Sequence, residues 1–142
     1  MPEVKHQQWW GWGYDGIPDF HYENMPACAP VVLTHVGLDL ATAPVVRPPA
    51  LSDLDVPATL ASEADLDALA AIVGAANVLT DDETRIVHWA GRSVRDLIRT
   101  RKGDFSRVTD VVVYPGSEDE VQAVLACASE RDLVVIPFGG GT

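Results

Sequence analysis

The apolar and polar positions are patterned most regularly in residues 108–142. VTDVVVYP (108–115) is an apolar run rich in β-branched residues, and LVVIP (133–137) is a second one. Between them, SEDEVQAVLACASERD places apolar residues at helical spacing, and Ser117 and Glu120 form a capping box at its start. This order predicts a strand, a helix and a strand. Because both runs are apolar throughout, we expect parallel strands covered on both faces and joined by a right-handed crossover.

Residues before this strand–helix–strand segment also have apolar positions at helical spacing. Ser62 lies three residues before Asp65, and Thr80 lies three residues before Glu83, which predicts two capped helix starts. The stretch GRSVRDLIRTRKGD predicts a further helix that closes at Gly103. The apolar positions expected to face inward in the predicted helices are Leu66, Leu69, Ala70, Val73, Val94, Leu97, Ile98, Val121, Val124, Leu125 and Ala128.

The first part of the chain has a different character. Residues 1–60 are rich in Pro, Gly and aromatic residues and show no sustained period, which predicts an extended segment draped over a neighbouring part of the protein. The chain therefore divides into this extended segment, a helical region (61–107) and the strand–helix–strand segment (108–142). The fold class predicted for the whole is α+β.

Composition narrows the function classes. The net charge of −11 argues against a nucleic acid partner, and no apolar stretch is long enough for a transmembrane helix. The N-terminus lacks the basic and apolar regions of a secretory signal. Cys28 and Cys127 are far apart and form no C-x-x-C motif, so we expect free thiols in a reducing compartment, which favours the cytoplasm.

Basic residues are concentrated in one short region in spite of the acidic total. They are Arg85, Arg92, Arg95, Arg99, Arg101, Lys102 and Arg107. One interpretation is a solvated helix face with cations near a helix C-terminus. The other is a basic patch that faces an anionic ligand or a lipid surface.

Three consecutive glycines follow the second apolar run, in PFGGGT (137–142). Glycines at the carboxyl end of a strand allow positive φ and close approach of a bulky anion. Their backbone N–H groups can form a nest for phosphate oxygens, and Thr142 can add a hydroxyl donor. A flexible Gly-rich turn is the alternative. The spacing differs from the dinucleotide fingerprint G-x-G-x-x-G, and the stretch lacks the Lys of a nucleoside-triphosphate P-loop.

VTDVVVYPGSEDEVQAVLACASERDLVVIPFGGGT resembles the start of the FAD-binding domain of the vanillyl-alcohol oxidase / p-cresol methylhydroxylase (PCMH) superfamily. WWGWGYDGIPDF and DDETRIVHWAGRSVRDLIRTRKGDFSR are similar to one branch of it, the alkyldihydroxyacetonephosphate synthase-like proteins. The resemblance covers nearly the whole chain. It implies that residues 108–142 contain the first βαβ unit of a PCMH-type FAD-binding domain, which more chain would complete.

The resemblance also implies a cofactor and its contacts. The positions that match the loop around the FAD pyrophosphate are Pro137, Phe138, Gly139, Gly140, Gly141 and Thr142. Relatives with covalently attached FAD carry a His in place of one glycine of this loop. Gly139, Gly140 and Gly141 are all glycine here, so the resemblance implies noncovalent FAD.

Three hypotheses of function follow. The first is an ether-lipid enzyme that exchanges the acyl group of an acyl-dihydroxyacetone phosphate for a fatty alcohol, with these residues as its N-terminal part, inactive alone. The second is a flavin-dependent oxidase or dehydrogenase of a hydroxy acid or alcohol. The third is a non-catalytic fragment that binds a partner chain or a membrane. For the enzymes we expect a small or lipid-like substrate, the remainder of the FAD domain as partner, a homodimer, and a cytoplasmic location with peripheral membrane contact. The family's catalytic residues are expected outside this chain.

Other residues have simpler structural explanations. We expect His88 to be a hydrogen-bonded histidine at a helix end, and the acidic run at Asp81, Asp82 and Glu83 to be a charged first helical turn. The remaining histidines show no metal-ligand spacing, so no metal site is predicted. The aromatic stretch WWGWGY is expected to pack against the protein, with a membrane anchor as the alternative.

Overall fold

A computed structural model describes residues 7–14, 27–43 and 48–141. The helices are α1 (Cys28–Val36), α2 (Glu63–Val73), α3 (Asp82–Val87), α4 (Val94–Arg101) and α5 (Glu118–Glu130), and the strands are β1 (Val78–Leu79) and β2 (Val112–Val113). Short 3-10 turns lie at Leu51–Asp53 and Ala75–Asn77. The mixture of helices with a small sheet confirms the α+β class. No helix among the described residues is long and apolar enough to cross a membrane.

Side-chain caps set where the helices begin. Ser62 accepts a hydrogen bond from the Asp65 backbone N–H at 3.2 Å, and Ser117 accepts one from Glu120 at the same distance, as the sequence predicts. The Glu120 carboxylate accepts a hydrogen bond from the N–H of Gly116, one residue before the cap, at 2.6 Å. These contacts satisfy backbone donors that a helix start leaves without intrahelical partners.

The predicted start of α3 was wrong by one residue. Asp81, not Thr80, is the N-cap, and its carboxylate accepts from the N–H of Thr84 at 2.9 Å. Asp is the stronger N-cap of the two residue types, so the helix begins after it. The acidic run thus forms the cap and first turn of α3, as expected. Asp82 also pairs with the Arg85 side chain at 3.1 Å.

A small buried core joins the helices to the sheet. β1 and β2 are antiparallel, with Val78 opposite Val113 and Leu79 opposite Val112. Helix α5 packs on α2, and Arg131 just after α5 pairs with Asp65 of α2 at 2.8 Å. The buried apolar residues are Leu69, Val73, Ile86, Val108, Val112 and Ala128.

Several positions predicted to face inward are exposed. Val94 and Ile98 of α4 are 77% and 49% exposed, and Val121 and Leu125 of α5 are also exposed. Helix α4 buries Thr100 instead, whose hydroxyl accepts a hydrogen bond from the Trp89 indole at 3.2 Å. The apolar stripe of α4 therefore points away from the part of the protein that the structure describes.

The second strand of the predicted βαβ unit is not paired in the described residues. Residues 133–136 follow α5 without strand hydrogen bonds, and β2 pairs with β1 in an antiparallel ladder. Val134 and Ile136 are 86% and 79% exposed. A strand needs a neighbouring strand to satisfy its backbone groups, and no described segment pairs with residues 133–136.

Candidate functional site

The Gly-rich loop is fixed by one aromatic side chain. The ring of Phe138 lies against the imidazole of His88, with 4.4 Å between the ring centroids. Gly141 has φ of +66°, and a Cβ at that position would lie 2.6 Å from Cζ of Phe138. A larger residue would therefore be strained in its backbone and would displace the ring. At Gly139, in contrast, a Cβ would meet nothing within 4 Å.

The six predicted cofactor contacts are placed unevenly. Pro137, Phe138, Gly139 and Gly140 are all exposed, and one face of the Phe138 ring packs on His88. Thr142 lies outside the described residues. The backbone of the loop is thus accessible to a ligand at Gly139 and Gly140. The orientation of the loop depends on the contact of Phe138 with His88.

His88 is held on both sides of its ring. Its Nδ1 lies 2.7 Å from the carbonyl oxygen of Thr84, which can only accept, so Nδ1 carries the proton of the neutral ring. Nε2 then accepts from the Tyr114 hydroxyl at 3.2 Å. Burial lowers the pKa of His88, and burial raises the pKa of Tyr114. His88 is therefore a satisfied helix-end histidine, as expected, and it supports the loop through Phe138.

The aromatic stretch near the N-terminus forms a hairpin, residues 7–14. Gln7 and Tyr14 make an antiparallel bridge, and the N–H of Gln8 donates to the carbonyl of Gly13 at 3.1 Å. Arg101 of α4 donates to the carbonyl of Trp10 at 2.8 Å, with its guanidinium 5.5 Å from the Trp10 ring centroid. The hairpin thus packs against the protein, as the first interpretation of WWGWGY predicts.

Arg92 holds the same hairpin from inside. Its side chain is only 6% exposed. Nη1 donates to the carbonyl oxygens of Gln8, at 2.9 Å, and Gly11, while Nη2 donates to Oε1 of Gln7 at 2.8 Å. Nε has no hydrogen-bond partner within the described residues. Burial lowers the pKa of Arg92, and Tyr14 opposes that shift.

A small cleft joins the hairpin to the Gly-rich loop. Its volume is about 130 Å³. The residues that line it are Gln7, Trp12, Gly13, Tyr14, Arg92 and Gly140. Residues from the two ends of the chain therefore meet at this cleft, with a buried guanidinium between them.

This proximity could not be predicted from the sequence. Gly140 belongs to the predicted ligand loop and Arg92 to the basic cluster, but nothing in the sequence links either residue to the hairpin. The cluster itself is mixed, since Arg85 and Arg92 are buried while Arg95 is exposed. No group of residues suited to a metal ion is found in the described part of the chain.

Comparison with known proteins identifies the C-terminal segment. Residues 109–142 match the sequence profile of a family described as FAD binding domain. The chain is 43% identical over 65 residues to alkyldihydroxyacetonephosphate synthase of Dictyostelium discoideum, which covers 45% of this chain and 11% of that protein. It is 30% identical over 152 residues to the synthase of Caenorhabditis elegans, which covers 95% of this chain and 25% of that protein.

Solved structures show the same fold. A structure of alkyldihydroxyacetonephosphate synthase superposes with a TM-score of 0.79 at 23% identity, over 96% of this chain and 28% of that one. The chain spans between 11% and 28% of the length of these relatives.

Proposed function

We propose that this chain, which belongs to the alkyldihydroxyacetonephosphate synthase-like branch of the FAD-binding proteins, supplies the loop that holds the diphosphate of noncovalent FAD in an ether-forming enzyme. The observation that carries the proposal is the match of residues 109–142 to the FAD binding domain family. The loop would bring its glycine backbone to the phosphates, and bound FAD would supply the electron-accepting chemistry of the exchange.

The residues of the loop fit such a group. Gly140 lines a cleft that also contains the buried Arg92 guanidinium, so backbone and positive charge face one small space. Gly139 leaves open space where a Cβ would stand, and Gly141 has the positive φ that a phosphate nest uses. Residues 139–141 offer no side chain for covalent attachment, which supports noncovalent binding.

The other described residues have supporting roles in this proposal. The Phe138 ring lies tilted on His88, which meets Tyr114 edge to face, and these contacts position the start of the loop. The relatives are named as synthases of alkyldihydroxyacetonephosphate, so we propose a lipid-like substrate for the enzyme. A cytoplasmic location with peripheral membrane contact and a homodimer belong to the same proposal.

The test is an absorption spectrum of the product of the whole reading frame, purified and saturated with FAD. We expect flavin absorption bands at roughly 370 and 450 nm, from a flavin that is released when the protein is denatured. Gly140→Glu should weaken FAD binding by placing a carboxylate in the cleft. Gln122→Glu adds the same charge on the exposed surface of α5 and should bind FAD as the unchanged protein does. A colourless unchanged protein would overturn the proposal.

A second assay tests the chemistry. The FAD-loaded protein is given an acyl-dihydroxyacetone phosphate and a fatty alcohol, and the ether product is measured by mass spectrometry. We expect ether formation with release of the fatty acid. Bleaching of the flavin by hydroxy acids, without ether formation, would instead support an oxidase or dehydrogenase on the same scaffold.

A further inference from the structure

The buried guanidinium of Arg92 lacks a counter-charge. All the acceptors it uses are neutral oxygens, two backbone carbonyls and the amide oxygen of Gln7. No carboxylate of the described residues pairs with it. A buried charge is costly unless a partner compensates for it, so an uncompensated one in a cleft indicates a ligand of opposite charge.

One nitrogen of the Arg92 guanidinium makes no hydrogen bond within the described residues. The hairpin engages Nη1 and Nη2, while Nε is buried without a partner within the described residues. Because three bonds hold the guanidinium plane, it is fixed in place before any ligand arrives. An immobilised guanidinium binds an anion with little loss of side-chain entropy.

The size of the cleft restricts what it accepts. At about 130 Å³ it is well below the roughly 300–1,000 Å³ of sites that enclose a whole cofactor. It has the room of about four water molecules at about 30 Å³ each, which suits a phosphate group rather than a ring system. Gly140 lines the same space, so a phosphate there would meet both the loop and Arg92.

We propose that Arg92 is a binding residue for the diphosphate of the cofactor, and that the N-terminal hairpin serves to hold its guanidinium against the Gly-rich loop. The inference rests on the proposed FAD function and adds a cationic contact from outside the loop. The hairpin is thereby part of the cofactor site through Arg92.

The test uses inorganic pyrophosphate and FAD as separate probes on the product of the whole reading frame. Binding of each is measured by isothermal titration calorimetry at fixed ionic strength. We expect Arg92→Met to weaken binding of both by about tenfold or more, as loss of a charged hydrogen-bond donor does. Arg92→Lys keeps the charge but loses the planar donors and should bind with intermediate affinity.

The matched control is Arg101→Met. Arg101 holds the same hairpin through Trp10 but does not line the cleft, so this variant should weaken pyrophosphate binding clearly less than Arg92→Met does. Circular dichroism checks that each variant is folded. If Arg92→Met does not fold, Arg92→Lys replaces it in the comparison with Arg101→Met. Equal losses in Arg101→Met and Arg92→Met would show that hairpin docking alone matters and would overturn the inference.

The inference and the proposed function fail in different ways. If the unchanged protein binds FAD and Arg92→Met binds it equally well, the inference is wrong and the FAD function stands. If the unchanged protein binds pyrophosphate through Arg92 but no FAD, the proposed function is wrong and the site is an anion site only. Absence of pyrophosphate binding to the unchanged protein contradicts the inference directly.

Discussion

Arg85 and Arg92 are both buried near α3 and α4, but their surroundings differ. Arg85 donates to the carbonyl of Pro57 at 2.7 Å, to that of Thr109 at 2.8 Å, and to the Asp82 carboxylate at 3.1 Å. It therefore has a negative partner and ties three segments together. Arg92 has only neutral acceptors among the described residues, and its buried Nε makes no hydrogen bond there.

The difference separates two uses of the same side chain. A buried arginine with a carboxylate and carbonyl acceptors stabilises the fold, and its charge is already compensated within the protein. A buried arginine held by neutral groups keeps its charge available to a ligand. Arg92 lines the same cleft as Gly140 of the Gly-rich loop. Burial alone did not distinguish the two, since Arg85 is 2% and Arg92 6% exposed.

The largest expected effect is from Arg85→Met. Removing the guanidinium leaves buried carbonyls without donors, so we expect the free energy of unfolding to fall by about 3–4 kcal/mol. Urea denaturation followed by circular dichroism measures it. Arg95→Met, at an exposed position, is the control and should change stability by less than about 0.5 kcal/mol. Equal effects of the two would contradict the structural role of Arg85.

Arg92→Met is expected to destabilise less, by about 2 kcal/mol. The hairpin loses its hydrogen bonds to the guanidinium, but the cost of burying an uncompensated charge is removed at the same time. The same denaturation experiment compares it with Arg85→Met. A larger loss at Arg92 than at Arg85 would mean that Arg92 has a carboxylate partner in the folded protein, so that its charge is not available to a ligand.

Gly141→Ala tests the loop on the other side of the cleft. A left-handed backbone costs an alanine about 1 kcal/mol, and its Cβ would press on Phe138. We expect the ring of Phe138 to move from His88, which changes the chemical shifts of the His88 ring in NMR spectra. Gly139→Ala is the matched control, because its Cβ meets open space. Unchanged His88 shifts in Gly141→Ala would contradict the described packing.

A smaller effect is expected from pH, through His88. Burial holds the pKa of His88 below its ordinary value of 6.5, so the unfolded chain binds the proton more readily than the folded one. The contribution of His88 is fully present above pH 6.5 and is lost as the pH falls from there through the folded pKa. Thermal unfolding between pH 7.5 and 5 should show this decline, and His88→Gln should reduce it. An identical slope in both proteins would assign the decline to other groups.

The smallest effect is expected at a third arginine. Arg131 pairs with Asp65 on the surface, and the pKa of Asp65 is lowered by the Ser62 hydroxyl first and by Arg131 second. Stability from Asp65 is present above its ordinary pKa of 3.8 and is lost as the pH falls through the lowered value. Arg131→Gln should shift the acid unfolding midpoint only slightly upward, because exposed ion pairs are screened. A shift larger than that caused by Ser62→Ala would reverse the order of the two causes.

Local features could be predicted from the sequence. The Ser62 and Ser117 caps, the helices after them and the α+β class follow from spacing rules that act within a few residues. The exposure of Val94 could not be predicted in this way, because the Trp89–Thr100 hydrogen bond turns the polar side of α4 inward. Residues 133–136 have strand composition, but pairing depends on an aligned neighbour.

Of the candidate site, only the loop could be proposed from the sequence. PFGGGT carries a chemical signal in its own residues, whereas the contact between Arg92 and Gln8 joins positions 84 residues apart. No periodicity connects such positions. A run of arginines and a glycine-spaced aromatic stretch could be expected to pack against each other. The pattern does not indicate which arginine is buried without a counter-charge.

The exposed segment after α5 has a consequence for handling the protein. Val134 and Ile136 lie open to solvent in an uncharged stretch of β-branched residues. Such stretches pair readily with copies of themselves, since unpaired backbone and apolar side chains are satisfied together. The purified chain should therefore aggregate more as its concentration rises. Light scattering should increase first in preparations where residues 133–136 are exposed to solvent. Val134→Lys should delay that turbidity.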